Sequence, residues 1–243
     1  SKFGLDSEAV NKISDEAGEN ELVNITSIAC HIGSQISDEN LILKSLDVIS
    51  EIANNLSSNG HAIKFLDIGG GLGIQYKDEE EGDPKILMAG VKNKLEGKEY
   101  KIILEPGRSI VGSAGILVTR IEYIKNAGGK KFAIIDAGMN DLIRPSLYEA
   151  WHEVKELENR EISSDTYDLA GPVCETGDIL AKDRNLKILP NDFVAFMDVG
   201  AYGSVMSSNY NSRLKPMELL VRGGEIEVIR RKETFEDLIA LES

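Results

Sequence analysis

A few polar groups in this chain stand where chemistry is done, and their types say which chemistry. His31 leads His31-Ile-Gly-Ser-Gln35 at the end of an apolar run. An imidazole there stacks on a flat ligand or moves a proton, and Ser34 offers a hydroxyl to a phosphate oxygen. Glu105-Pro-Gly-Arg108 sets a carboxylate and a guanidinium close together. The first keeps a pyridine-type nitrogen protonated. The second grips a carboxylate or phosphate through paired hydrogen bonds. Cys174 lies in Gly171-Pro-Val-Cys-Glu-Thr-Gly-Asp178, a polar loop in which a thiol serves as a proton donor rather than as core filling. Tyr202, flanked by Gly200 and Gly203, either holds a phosphate or packs as an ordinary aromatic. Arg144-Pro-Ser-Leu-Tyr148 is a weak signal alone, and Trp151 and His152 add little. Each of these also has a plain structural reading, as a satisfied strand-end histidine or an exposed turn.

The stretch Lys64-Phe-Leu-Asp-Ile-Gly-Gly-Gly-Leu-Gly-Ile74 joins them. Phe65 to Ile68 reads as a buried strand that stops in Gly69, Gly70 and Gly71. Glycine lets the backbone take positive φ and lets a ligand come close, and bare N–H groups in such a turn make a concave anion site. The dinucleotide fingerprint fits poorly, because its third glycine belongs at position 74, where Ile74 stands. The expectation is a phosphate cradle of another α/β fold.

The elements that position these groups follow from periodicity. Asp6 caps a helix over 7–17 ended by Gly18, and Leu22 to Ile32 reads as a strand ending at His31. A second helix starts at Asp38; Leu41, Leu43, Leu46, Ile49, Ile52, Ala53 and Leu56 give it an apolar face. A third starts at Pro84, and Tyr100 to Leu104 is the next strand. Polar chemistry thus falls at the carboxyl end of each strand, as in parallel βα units. Only three such strands are present, whereas a closed barrel has eight. After Arg108 the chain turns β-rich. Strands are expected over 115–124, 131–136, 166–170, 192–197, 217–221 and 226–229, with hairpin turns at Gly128-Gly129 and Gly223-Gly224. A short helix closes the chain over 233–241. The fold class is therefore α/β plus β: residues 1–112 form part of a (β/α) barrel and 113–243 a β-rich domain, with the boundary near Gly112.

A net charge of −14 removes the basic footprint that nucleic-acid binding needs. No apolar run is long enough to span a bilayer and no signal-peptide pattern opens the chain, so no membrane partner is expected. The two cysteines, Cys30 and Cys174, are too few for a disulfide framework and too far apart for metal-ligand spacing. Their use fits a reducing cytoplasm. Asp78-Glu-Glu-Glu81 reads as a solvated tip.

Taken in order, His31-Ile-Gly-Ser-Gln35, Asp67-Ile-Gly-Gly-Gly-Leu-Gly73, Glu105-Pro-Gly-Arg108, Arg144-Pro-x-Leu-Tyr148, Gly171-Pro-x-Cys-Glu-x-Gly-Asp178, Gly200-Ala-Tyr-Gly203 and Met206-Ser-Ser-Asn-Tyr-Asn-Ser-Arg213 resemble the diaminopimelate decarboxylases. These are pyridoxal-phosphate enzymes with an alanine-racemase-type fold, a barrel plus a β domain. The resemblance runs nearly end to end. It implies decarboxylation of meso-diaminopimelate to L-lysine, with pyridoxal 5'-phosphate as cofactor. It implies that Gly69, Gly70, Gly71 and Tyr202 hold the cofactor phosphate, with Ser34, Gly107 and Arg108 also at the cofactor. His31 would stack on the ring and Glu105 would pair with its nitrogen. Arg108, Arg144, Tyr148, Glu175 and Tyr202 would hold the substrate, and Cys174 would return a proton where CO₂ departs. A homodimer sharing its sites is implied, because in relatives the Cys-Glu loop reaches the neighbouring subunit.

One feature departs from the family. Its Schiff-base lysine lies on an early barrel strand, and no lysine here matches that motif. The expectation is that this sequence is the C-terminal part of a longer enzyme, inactive by itself, with exposed strand edges. Two other readings use the same motifs: a sister decarboxylase of ornithine, arginine or carboxynorspermidine, and a non-catalytic relative that keeps the fold. A phosphate-binding barrel without pyridoxal phosphate leaves the Cys174 and Tyr202 loops unexplained.

Overall fold

The computed structural model describes residues 2–242. The chain divides into two compact units, Ser1–Ile110 and Val111–Ser243.

The first unit alternates helix and strand: α1 (Ser7–Gly18), β1 (Ser27–Ala29), α2 (Glu39–Ser58), β2 (Phe65–Asp67), α3 (Pro84–Lys94) and β3 (Lys101–Ile103). A single turn, α4 (Arg108–Val111), falls at the boundary. Aspartates start the three long helices. Asp6, Asp38 and Asp83 each accept a backbone N–H of the first turn, and Pro84 costs no hydrogen bond at its helix start. The strands pair in parallel in the order β1-β2-β3, with Ser27 opposite Phe65 and Phe65 opposite Lys101. The apolar face of α2 covers them: Leu46, Ala53, Leu56 and Leu66 are buried in one cluster with Leu87 and Val91 of α3. Each such leucine contributes about 1.5–3 kcal/mol of burial. The expected long strand over 22–32 is only three residues. Leu22 is 93% exposed, and β2 offers three partners before the glycines end it. β-propensity supplied the residues but no partner strand.

The second unit comprises β4 (Leu117–Ala127), β5 (Lys130–Ile135), α5 (Arg144–Tyr148), β6 (Val154–Glu156), β7 (Asp165–Ala170), β8 (Ile179–Leu186), β9 (Phe193–Phe196), β10 (Glu218–Arg222), β11 (Glu225–Arg230) and α6 (Phe235–Leu238). Among the described residues, six strands form one sheet in the order β6-β9-β4-β5-β7-β8. All its pairs are antiparallel except β5 with β7. The end strands approach each other, since the Lys187 N–H donates to Glu156 Oε1 at 2.7 Å. The result is a near-closed barrel around Ile121, Ile135, Leu169, Val194 and Phe196. Both expected hairpins form. Gly128 and Gly129 join β4 to β5, Gly223 and Gly224 join β10 to β11, and all four have positive φ, as a two-residue type I′ turn demands.

The sequence reading missed β6 and β8, and α6 is shorter than the helix expected over 233–241. The charged stretch Lys182-Asp-Arg184 lies inside β8 and interrupts its apolar pattern. Asp183 there takes a left-handed φ of 53°, and its N–H donates to the buried Asp168 Oδ1 at 2.8 Å. Asp168 thus satisfies the N–H at this irregularity, and the strand continues.

Candidate functional site

Within the first unit, the ends of β1, β2 and β3 bring the expected groups together. The three glycines after β2 are packed against both neighbours. A Cβ on Gly70 would lie 2.1 Å from the Glu105 carbonyl oxygen, and one on Gly71 2.3 Å from the Gly33 carbonyl oxygen. Gly69 and Gly71 also carry positive φ, at 67° and 101°. Glycine is therefore demanded by the neighbouring backbone, whatever ligand comes. The expected row of bare N–H groups needs correction. The Gly69 N–H donates to Asp67 Oδ1 at 2.8 Å, and the Gly70 N–H to His31 Nδ1 at 3.3 Å. That second bond places the imidazole beside the turn with Nδ1 as acceptor, so the ring proton sits on Nε2.

At the end of β3 the Glu105 N–H donates to the Gly69 carbonyl oxygen at 2.8 Å, and the Glu105 side chain is exposed. Gly107 is exposed, with nothing within 4 Å of the position a Cβ would take. Arg108 reaches back across the strand ends. Its Nη1 donates to Tyr76 Oη at 2.5 Å and its Nη2 to Ser34 Oγ at 3.3 Å. Tyr76 was not foreseen. Its backbone is held by the acidic tip, where Glu79 accepts the N–H groups of Tyr76 and Lys77 at 3.0 Å each. The tip is thus more than solvated charge. Burial acts to raise the Glu79 carboxyl, but these N–H groups outweigh it and hold the carboxyl below its usual range.

Within the second unit, the loop between β7 and β8 carries Cys174 and Glu175, both exposed. Buried Asp178 shapes it, accepting the Val173 N–H at 2.7 Å and the Met139 N–H at 2.6 Å. Burial pushes the Asp178 carboxyl up, against the pull of those two N–H groups. Arg144 and Tyr148 sit four residues apart on α5 and so share a face. Ser146 of α5 donates through Oγ to the Gly177 carbonyl oxygen at 2.6 Å, tying that helix to the cysteine loop. Tyr148 is 63% exposed, but Arg144 is only 8% exposed, and its Nη1 lies 2.9 Å from His152 Nε2. Tyr202 has a φ of 61° in a turn held from below: the Val199 N–H donates to the Gly115 carbonyl oxygen and the Gly200 N–H to that of Gly112. Arg213 donates to Asn140 Oδ1 at 2.8 Å and to the Asp136 carbonyl oxygen, fixing the segment after Tyr202 to the end of β5.

Parallel strands with an imidazole, a carboxylate and a guanidinium at adjacent ends, in one chain with a near-closed β domain, define a class. It is an α/β-plus-β protein whose strand ends carry groups suited to a small charged ligand. Residues 11–200 match the family model described as pyridoxal-dependent decarboxylase, C-terminal sheet domain, and the chain belongs to that family. It is 43% identical over 242 residues to the diaminopimelate decarboxylase of Pseudomonas aeruginosa, covering all of this chain and 58% of that protein. Among solved structures it is similar to the Helicobacter pylori diaminopimelate decarboxylase complexed with L-lysine, at 40% identity and a TM-score of 0.94. That match covers all of this chain and 60% of the other. A protein from Aquifex aeolicus matches at 43% identity and a TM-score of 0.95, with 99% and 60% of the two chains covered. The chain thus spans about three fifths of the length of these relatives.

Proposed function

We propose that the protein carrying this sequence is a pyridoxal-phosphate-dependent decarboxylase that converts meso-diaminopimelate to L-lysine and CO₂. The observation that carries the reading is the Ser146–Gly177 hydrogen bond. It joins the helix bearing Arg144 and Tyr148, a grip for an amino-acid end, to the loop bearing an exposed thiol. The relatives named above match 99–100% of this chain at 40–43% identity.

The donor set at the strand ends of the first unit suits the cofactor. Gly69, Gly70, Gly71, Ser34 and Gly107 would receive its phosphate side, together with Tyr202. His31 would lie against the ring, its orientation set by the Gly70 N–H. Glu105 would face the ring nitrogen and keep it protonated. When bound, pyridoxal phosphate supplies the electron sink that lets the α carbon part with CO₂. The chain's own groups do the rest. Arg108, held by Tyr76 and Ser34, together with Arg144, Tyr148, Glu175 and Tyr202, would orient the end of the substrate that does not react. The Cys174 thiol would deliver a proton to the carbon that loses CO₂. A homodimer in the cytoplasm, with no nucleic-acid or membrane partner, accompanies this reading.

The test is turnover by the full-length protein expressed with pyridoxal phosphate. Lysine and CO₂ released from meso-diaminopimelate, with little from ornithine or arginine, supports the reading. Faster turnover of ornithine or arginine makes it a sister decarboxylase, and no turnover of any of them makes it a non-catalytic relative.

A further inference from the structure

His152 is 0% exposed and belongs to none of the groups assigned above. Its Nδ1 lies 2.8 Å from the Met197 carbonyl oxygen, which can only accept, so Nδ1 carries the ring proton. Nε2 is then a lone-pair acceptor, and it meets Arg144 Nη1 at 2.9 Å. One neutral imidazole thus donates to a backbone carbonyl and accepts from a guanidinium. Its peptide is pinned as well. Arg184 Nη2 donates to the His152 carbonyl oxygen at 3.1 Å, and the Arg184 guanidinium stacks on the Trp151 ring, 3.1 Å from its centroid. Met197 is itself tied back, its N–H donating to the Glu153 carbonyl oxygen at 2.9 Å.

The chemistry of this contact matters. A carboxylate facing Arg144 would orient the guanidinium and also cancel its charge. A neutral imidazole accepts from it and orients it without bringing a countercharge of its own. We infer that His152 is a positioning residue, which fixes the Arg144 guanidinium for the carboxylate on the unreacting end of the substrate. This rests on the function proposed above. His152 touches neither substrate nor cofactor in this scheme and acts through Arg144.

The experiment compares L-lysine with cadaverine as competitive inhibitors of the full-length enzyme loaded with pyridoxal phosphate. Lysine keeps the carboxylate of the unreacting end, and cadaverine is lysine without it. His152→Asn retains a donor toward Met197 but withdraws the acceptor from Arg144. It is expected to raise the Ki of lysine and the KM of diaminopimelate about tenfold, leaving kcat and the Ki of cadaverine within about threefold. His152→Gln, which restores an acceptor near the Nε2 position, is expected to recover most of the lysine affinity. Arg184→Met, loosening His152 through its carbonyl and Trp151, gives a smaller change of the same pattern. Thermal melting of each variant separates these effects from lost folding. Parallel weakening of lysine and cadaverine, unchanged lysine affinity, or a glutamine variant as defective as the asparagine one would overturn the inference. Wild-type enzyme that turns over no diaminopimelate would instead overturn the functional reading on which it rests.

Discussion

Ser146 Oγ lies 2.6 Å from the Gly177 carbonyl oxygen and donates to it, so a helix and a loop distant in sequence are tied together. Ser146→Ala removes this single bond at a partly exposed site. The expected cost is about 1 kcal/mol in urea unfolding. Catalysis is expected to suffer more than stability, with kcat/KM for diaminopimelate down about tenfold, because the thiol loop loses its register on α5. Unaltered kinetics in a destabilised variant would show that the bond only holds the fold.

Gly70 and Gly107 separate packing from ligand approach. A methyl group at Gly70 would meet the Glu105 carbonyl oxygen at 2.1 Å, and backbone cannot step aside as a flexible side chain can. Gly70→Ala is expected to destabilise by more than about 3 kcal/mol, read as a shifted unfolding midpoint with or without cofactor. A methyl group at Gly107 meets nothing within 4 Å. Gly107→Ala is expected to leave the apoprotein within about 0.5 kcal/mol of wild type yet weaken pyridoxal-phosphate binding, followed by absorbance. A Gly107→Ala protein that binds the cofactor normally would remove Gly107 from that site.

Cys174 is exposed, so Cys174→Ala is expected to change stability by less than about 0.5 kcal/mol. Cofactor absorbance should be intact while turnover falls about 100-fold or more, as for loss of a general acid. Unchanged turnover would assign the proton delivery elsewhere.

Asp178, buried beneath the cysteine loop, is expected to link folding stability to pH. Burial raises its folded pKa above the ordinary value of 3.8. The folded state therefore holds this proton more tightly than the unfolded chain does. The stabilising contribution is fully present below pH 3.8 and is lost as pH rises through the raised folded value. Wild-type stability is thus expected to fall with pH over that window relative to Asp178→Asn, which does not titrate there. Identical slopes in urea melts across the window would contradict the shift.

The glycine cluster, Glu105-Pro-Gly-Arg108 and the cysteine loop were legible because each is local: a few adjacent residues announce a turn or a strand end. The groups that hold them were not. Tyr76 matters because Arg108, thirty-two positions away, donates to its hydroxyl, and His152 matters because Met197 and Arg144 approach opposite nitrogens of its ring. A lone Tyr or His gives no periodic signal before the chain has folded. The same holds for β8, whose charged interior becomes readable only once Asp168 is seen to satisfy Asp183. The glycines were legible as glycines but for a partly different reason, since neighbouring backbone demands them and two of their N–H groups are already engaged.

β5 and β7 run parallel, with Lys131 opposite Tyr167. Parallel neighbours cannot be joined by a tight turn, so the chain must travel out and back between them. That excursion contains Arg144, Tyr148 and His152. Closing so long a loop costs conformational entropy, which the contacts of β5 with β7 must offset. The segment proposed to grip the substrate is therefore the connection that this parallel pairing requires, anchored at both of its ends by the sheet.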